Sequence, residues 1–163
     1  PPPPPPPFFF LNPPQALGDA QESRGLGDVY KRQRQLDPAI GAIMDDLKER
    51  GLFEDTLIYI TSEFGRSPTE DGGGGRSHNA RGLSTVLMGG GIKGGIAYGS
   101  TDEIGGAAVE NKVHVKDIHA TVMDLLGFDH EQLTYRTAGR DFRLTQATRS
   151  LPQGGMPVKG IIA

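Results

Sequence analysis

An α/β fold with a mostly parallel sheet is what the sequence predicts, on three observations. An amphipathic stretch begins at Asp37-Pro38 and stops at Gly51. A short unbroken run of β-branched and aromatic residues, Thr56-Leu57-Ile58-Tyr59-Ile60-Thr61, follows within a few residues. A further apolar run from Leu83 to Met88 and a further amphipathic stretch from Ile118 to Leu126 supply the next strand and helix. Short continuous apolar runs are the mark of strands buried on both faces, as in a parallel sheet covered by helices.

The elements follow in order. Pro1 to Pro7 form an unbroken proline run that can only be polyproline II, and Phe8 to Leu11 follow without a period. Asn12 to Gln33 is polar, glycine-dotted and patternless, and Arg24-Gly25-Leu26-Gly27-Asp28-Val29-Tyr30-Lys31-Arg32-Gln33 resembles translated adaptor sequence from environmental assemblies. Residues 1–34 are therefore expected to be a disordered or artefactual leader, with the folded part spanning 35–163. Asp37 offers a helix N-cap and Pro38 a first helical position. Ile40, Ile43, Met44 and Leu47 share one face, Lys48, Glu49 and Arg50 the other, and Gly51 supplies a left-handed stop.

After the strand at Thr56–Thr61, a polar, glycine-rich segment runs from Ser62 to Gly82, too long for a plain connector. Leu83 to Met88 reads as the next buried strand, and Ile96 to Gly99 as a short strand near a turn. Asp117 is placed to cap a second helix in which Ile118, Val122, Leu125 and Leu126 face one way, until Gly127 ends it. Short strands are expected at Asp141 to Leu144 and at Val158 to Ile162.

Composition narrows the function classes. A formal net charge of -3 in 163 residues argues against a phosphate-backbone binder, so no nucleic-acid partner is expected. The absence of cysteine removes disulfides, thiolate zinc sites and cysteine nucleophiles together. No apolar run is long enough for a membrane span.

Chemistry is expected where the chain leaves the first apolar strand. In an open α/β sheet, ligands bind beyond the carboxyl ends of strands. Ser62-Glu63-Phe64-Gly65-Arg66 leaves such an end, and the same loop later presents Arg76, His78 and Asn79. A carboxylate with an imidazole can hold a divalent cation, and arginine forks can hold a pair of phosphate or sulfate oxygens. The structural alternative is that Glu63 pairs with Arg66 or Arg76 while His78 and Asn79 cap loop backbone.

Residues 37 to 145 also resemble the end of an uncharacterised bacterial family of sulfatase-like proteins in the alkaline phosphatase superfamily. Glu63-Phe64-Gly65-Arg66-Ser67-Pro68 and Gly75-Arg76-Ser77-His78-Asn79 carry the resemblance. Gly89 to Gly95, Asp117 to Gly127 and Tyr135 to Phe142 add to it. The resemblance implies the carboxy-terminal part of a three-layer sandwich, an incomplete domain whose amino-terminal part would supply the nucleophile.

In that superfamily an Asp-His-Gly triplet and a later histidine bind metal. Glu63, Gly65 and His78 stand at the matching places, but Phe64 replaces the triplet's histidine and cannot coordinate a cation. The resemblance thus implies at most one divalent metal ion, on Glu63 and His78, with Arg66, Arg76 and Asn79 as substrate-binding residues. It implies a small anionic ester as substrate, metal-dependent phosphate or sulfate ester hydrolysis by a longer form, and periplasmic or secreted placement. The chain itself is expected to be catalytically inert. The alternative is a non-catalytic binding or scaffolding protein that has lost its metal site.

Other patterns carry less. Gly89-Gly90-Gly91-Ile92-Lys93-Gly94 matches a dinucleotide pattern, but the helix that must follow is missing, so a turn is expected. His119 is expected to be a helix or core residue and His130 a solvated or capping one.

Overall fold

The computed structural model describes residues 26–72, 75–148 and 152–163. The proline run and most of the expected leader lie outside these residues. Helix α1 spans Leu26–Glu49 and carries Pro38 in its interior, so Asp37-Pro38 is not its start. Lys31-Arg32-Gln33-Arg34-Gln35-Leu36 is a run of strong helix formers, which carries the helix through a proline that removes one hydrogen bond. The predicted stop is where it was expected. Gly51 has φ 69, its N–H reaches the Lys48 carbonyl at 3.0 Å, and the Leu52 N–H reaches the Leu47 carbonyl at 2.8 Å. Those paired bonds are a Schellman motif.

A 3-10 turn at Phe53–Asp55 leads into β1, Leu57–Ile60. Then come β2 (Gly65–Arg66), β3 (His78–Asn79), β4 (Val86–Gly89), β5 (Ser100–Thr101), β6 (Ala108–Glu110), α2 (Val115–Leu125), β7 (Tyr135–Thr137) and β8 (Arg140–Phe142).

The expected three-layer sandwich with a mostly parallel sheet is not what forms. Among the described residues the strands make four separate two-stranded sheets, β1 with β4, β2 with β3, β5 with β6 and β7 with β8, and every pair is antiparallel. The physical reason lies between β1 and β4. A parallel partner needs a long crossover, usually a helix, whereas this connection folds into the small β2–β3 ribbon and returns in the opposite direction. Leu57 therefore faces Gly89 and Ile60 faces Val86. Nor are these strands buried on both faces: all of β1 is half-buried and Val86 is exposed. An unbroken apolar run shows hydrophobicity but not which surfaces cover it.

Three smaller expectations also change, the first being that Ile96 to Gly99 is not a strand and β5 begins only at Ser100. Val158 to Ile162 forms no strand but a 3-10 turn at Lys159–Ile161 with one bridge between Ile92 and Ile162. Asp141 belongs to a hairpin closed by Ala138 and Gly139 at φ 47 and 75, the left-handed pair of a type I′ turn. The glycine run at Gly89–Gly91 is a turn, as expected. Gly90 donates to the Phe53 carbonyl at 3.2 Å, and a Cβ on Gly89 would overlap the Thr56 carbonyl.

α2 and the last residues form the small core, where Ile118, Ala120, Val158 and Ile161 are buried. His114, not Asp117, is the N-cap. Its Nδ1 accepts from the Lys116 N–H at 3.2 Å, and the Asp117 carboxylate accepts from the His114 N–H at 2.7 Å. This is a reciprocal capping box with Asp117 three positions inside. Asp117 also holds the Met156 N–H at 2.9 Å, and Lys159 reaches Asp124 at 2.6 Å, so the C-terminal segment lies along the helix. His119 is exposed on α2. His130 shares a 2.9 Å hydrogen bond with the buried Thr145.

Beyond α2, Asp129 organises a turn. Its Oδ1 accepts from the Glu131 N–H at 2.9 Å and the Gln132 N–H at 3.2 Å. These bonds, the Glu131 one foremost, hold its carboxyl below the ordinary value. A carboxyl lowered on folding stabilises above its unfolded pKa, and that contribution is lost as pH falls through the folded value. We expect a carboxyl-detected NMR titration to place Asp129 below an Asp in an unfolded peptide. A titration coinciding with the peptide would show that the turn does not form.

Candidate functional site

The β2–β3 ribbon sorts the candidate residues by the alternation of a strand. Gly65 lies opposite Asn79 and Arg66 opposite His78, and successive side chains point to opposite faces. The Gly65–Asn79 face turns inward. Asn79 is buried, its Nδ2 donates to the Gly106 carbonyl at 2.9 Å, and its Oδ1 accepts from the Arg81 N–H at 3.1 Å. It thereby docks the turn after β5, where Asp102 accepts from the Gly106 N–H at 2.6 Å. The backbones stack with almost no space between them. A Cβ on Gly65 would overlap the Gly82 carbonyl, and one on Gly82 would come within 3.0 Å of the Gly105 carbonyl.

The opposite face is open. Phe64 stacks on His78 with ring centroids 3.7 Å apart and planes 27° apart. The Arg66 guanidinium lies 5.7 Å from the Phe64 ring centroid, and its Nη1 donates to the Arg76 carbonyl at 3.3 Å. Arg66 and His78 are exposed while Phe64 is half-covered. A phenyl ring thus braces a guanidinium and an imidazole on one side of a two-residue ribbon.

Of the five candidates, two come together and three stand apart. Arg66 and His78 come together on the exposed face. Asn79 points to the other face with both ends of its amide engaged. Arg76 donates to the Ser67 carbonyl at 3.0 Å and also to the Pro68 carbonyl, which clamps the loop between β2 and β3. Glu63 is exposed and ion-pairs with neither arginine. Among the described residues no group of three or more His, Cys, Asp or Glu side chains is placed to hold a metal ion. Glu63 and His78, the pair expected to hold one divalent ion, are not members of such a group.

As a residue type Phe64 marks only a place that cannot coordinate a cation, and its bracing role shows in the fold. The signal was in the sequence, because Phe64 and Arg66 flank Gly65 at the two-residue spacing of one strand face. Gly82, Asp102 and Gly106 were missed for want of any local signal.

Residues 22–153 match the model of a family described as protein of unknown function, DUF1501, and the chain belongs to that family. The match corrects the expected membership of a sulfatase-like family of the alkaline phosphatase superfamily, since it is to a different one. It begins inside the stretch expected to be a leader. No curated protein and no solved structure matches the chain. No helix among the described residues is long and apolar enough to cross a membrane.

Proposed function

We propose that this chain binds a small oxyanion of the phosphate or sulfate ester class on the open face of the β2–β3 ribbon, and does not turn it over. The cross-strand placement of Arg66 opposite His78 supports this reading. A guanidinium carries five N–H donors in a planar fork, and the one bond described for Arg66 leaves the fork available. Such a fork matches two oxygens of one tetrahedral anion. The imidazole beside it adds a donor, and the Phe64 ring restricts where both groups point.

Adding 4-nitrophenyl phosphate or 4-nitrophenyl sulfate to the labelled chain should shift the amide resonances of Arg66 and His78. Arg66→Gln should weaken binding about tenfold, the size of one exposed charge-assisted contact. Arg140→Gln, on the separate β7–β8 hairpin, should leave it unchanged. Equal affinity for Arg66→Gln and the parent chain would remove the proposal. So would release of 4-nitrophenolate above the blank with magnesium, manganese or zinc present.

A further inference from the structure

α1 is a 24-residue helix with little of its own chain against it. From Gln33 to Glu49 none of its residues is buried, and Leu36 and Ile43 remain 50% and 55% exposed. Helix stability in proteins comes mostly from burying an apolar face, because isolated helices are marginal in water. That face has a particular spacing. Leu36, Ile40, Ile43 and Leu47 succeed one another at intervals of four, three and four residues, which are the d and a positions of a heptad. In the sequence the same register runs back through Gln33 at a, Val29 at d and Leu26 at a. Pro38 and the glycines at 27 and 41, the weakest helix formers of this stretch, fall at f and b on the outer side.

We infer that α1 pairs with α1 of a second copy of this chain as a parallel two-stranded coiled coil. A heptad seam is self-complementary, so a second copy offers the surface that it fits. The polar position fixes the orientation. In a parallel pair an a residue faces its own counterpart, so Gln33 meets Gln33 of the other copy, whereas an antiparallel pair would set it against an apolar d residue. Charge agrees with this arrangement. Arg32 and Asp37 occupy g and e, five residues apart, and g of one helix lies beside the following e of the other in a parallel pair. A parallel pair thus sets opposite charges side by side twice, once on each flank of the seam.

Sedimentation velocity on the full chain tests the association, and cross-linking tests its direction. The chain should sediment as a dimer at about 50 µM and dissociate on dilution, and Ile40→Asp should be monomeric at the same concentration. Asp37→Arg should weaken the dimer about tenfold, and the combined exchange Arg32→Glu with Asp37→Arg should restore it. Because the chain has no cysteine, a single introduced thiol reports proximity. Under mild oxidation Leu36→Cys should cross-link two copies, and Glu49→Cys, at an outer c position, should not. A monomeric parent chain, a dimer that survives Ile40→Asp, or equal cross-linking of the two cysteine variants would overturn the inference.

Discussion

Gly65→Ala should unhook the β2–β3 ribbon from the turn after β5, with a stability loss of about 3 kcal/mol or more. The added methyl would overlap the Gly82 carbonyl and stand 3.1 Å from the Asn79 carbonyl. All of these atoms are backbone, so no side chain can swing aside to accept it. Either β2 or the Gly82 backbone must move, and the Asn79 bond to Gly106 lies across that movement. For a chain of this size each kcal/mol is worth about 2–4 °C in melting temperature, so a fall of roughly 10 °C is expected. Amide exchange should locate the damage, because protection at Ala108, which bonds the Arg81 carbonyl at 2.7 Å, should disappear with the docking. Gly41→Ala is the contrasting case. A Cβ there meets nothing within 4 Å, so removal of a helical glycine should stabilise by up to about 1 kcal/mol. A Gly65→Ala chain melting with the parent would mean that the three backbones do not stack as described.

The second large effect is expected at Thr121, which is fully buried. Its hydroxyl donates to the Asp117 carbonyl at 2.7 Å and accepts from the Val158 N–H at 2.8 Å. One oxygen thus joins α2 to the C-terminal segment. Thr121→Val keeps the shape but strands the Val158 N–H without an acceptor, at a cost of about 1–3 kcal/mol. Thr121→Ser keeps the oxygen and gives up one methyl, so its loss should be the smaller of the two. The discriminating measurement is the order of stability in urea: parent, then Ser, then Val. If Val equals or exceeds Ser, packing and not the hydrogen bond holds the segment.

The helix stops were legible because they are local. Gly51 and Gly127 both take the left-handed conformation, with φ 69 and 77, and a sequence shows such positions as a glycine after the last periodic residue. The start of α1 was misplaced because Asp37-Pro38 is a strong local signal that a longer run of helix formers outweighs. The cap of α2 was misplaced by three residues, since in a capping box either partner can be taken for the cap when only residue types are seen.

The candidate site was half legible. The segment leaving β1 was singled out from its residue types, and it does bring Arg66 and His78 together. It was not legible that Asn79 and Arg76 serve the fold. Asn79 binds a carbonyl 27 residues further along the chain, and no window of sequence contains both partners. Strand parity would have separated Asn79 from His78 had the two-residue strand been recognised.

Residue chemistry alone therefore determined that two helices and two apolar strands form in about the first three quarters of the chain, where the two helices stop, and which polar groups leave the first apolar strand. The folded chain decided the direction of strand pairing, the inward turn of Asn79, the stacking of Phe64 on His78 and the attachment of the last residues to α2. Periodicity and capping act over a few neighbouring residues and leave their mark in order along the chain. Strand direction and backbone contact depend on where distant segments come to rest, which is set by the whole packing and written at no single place in the sequence.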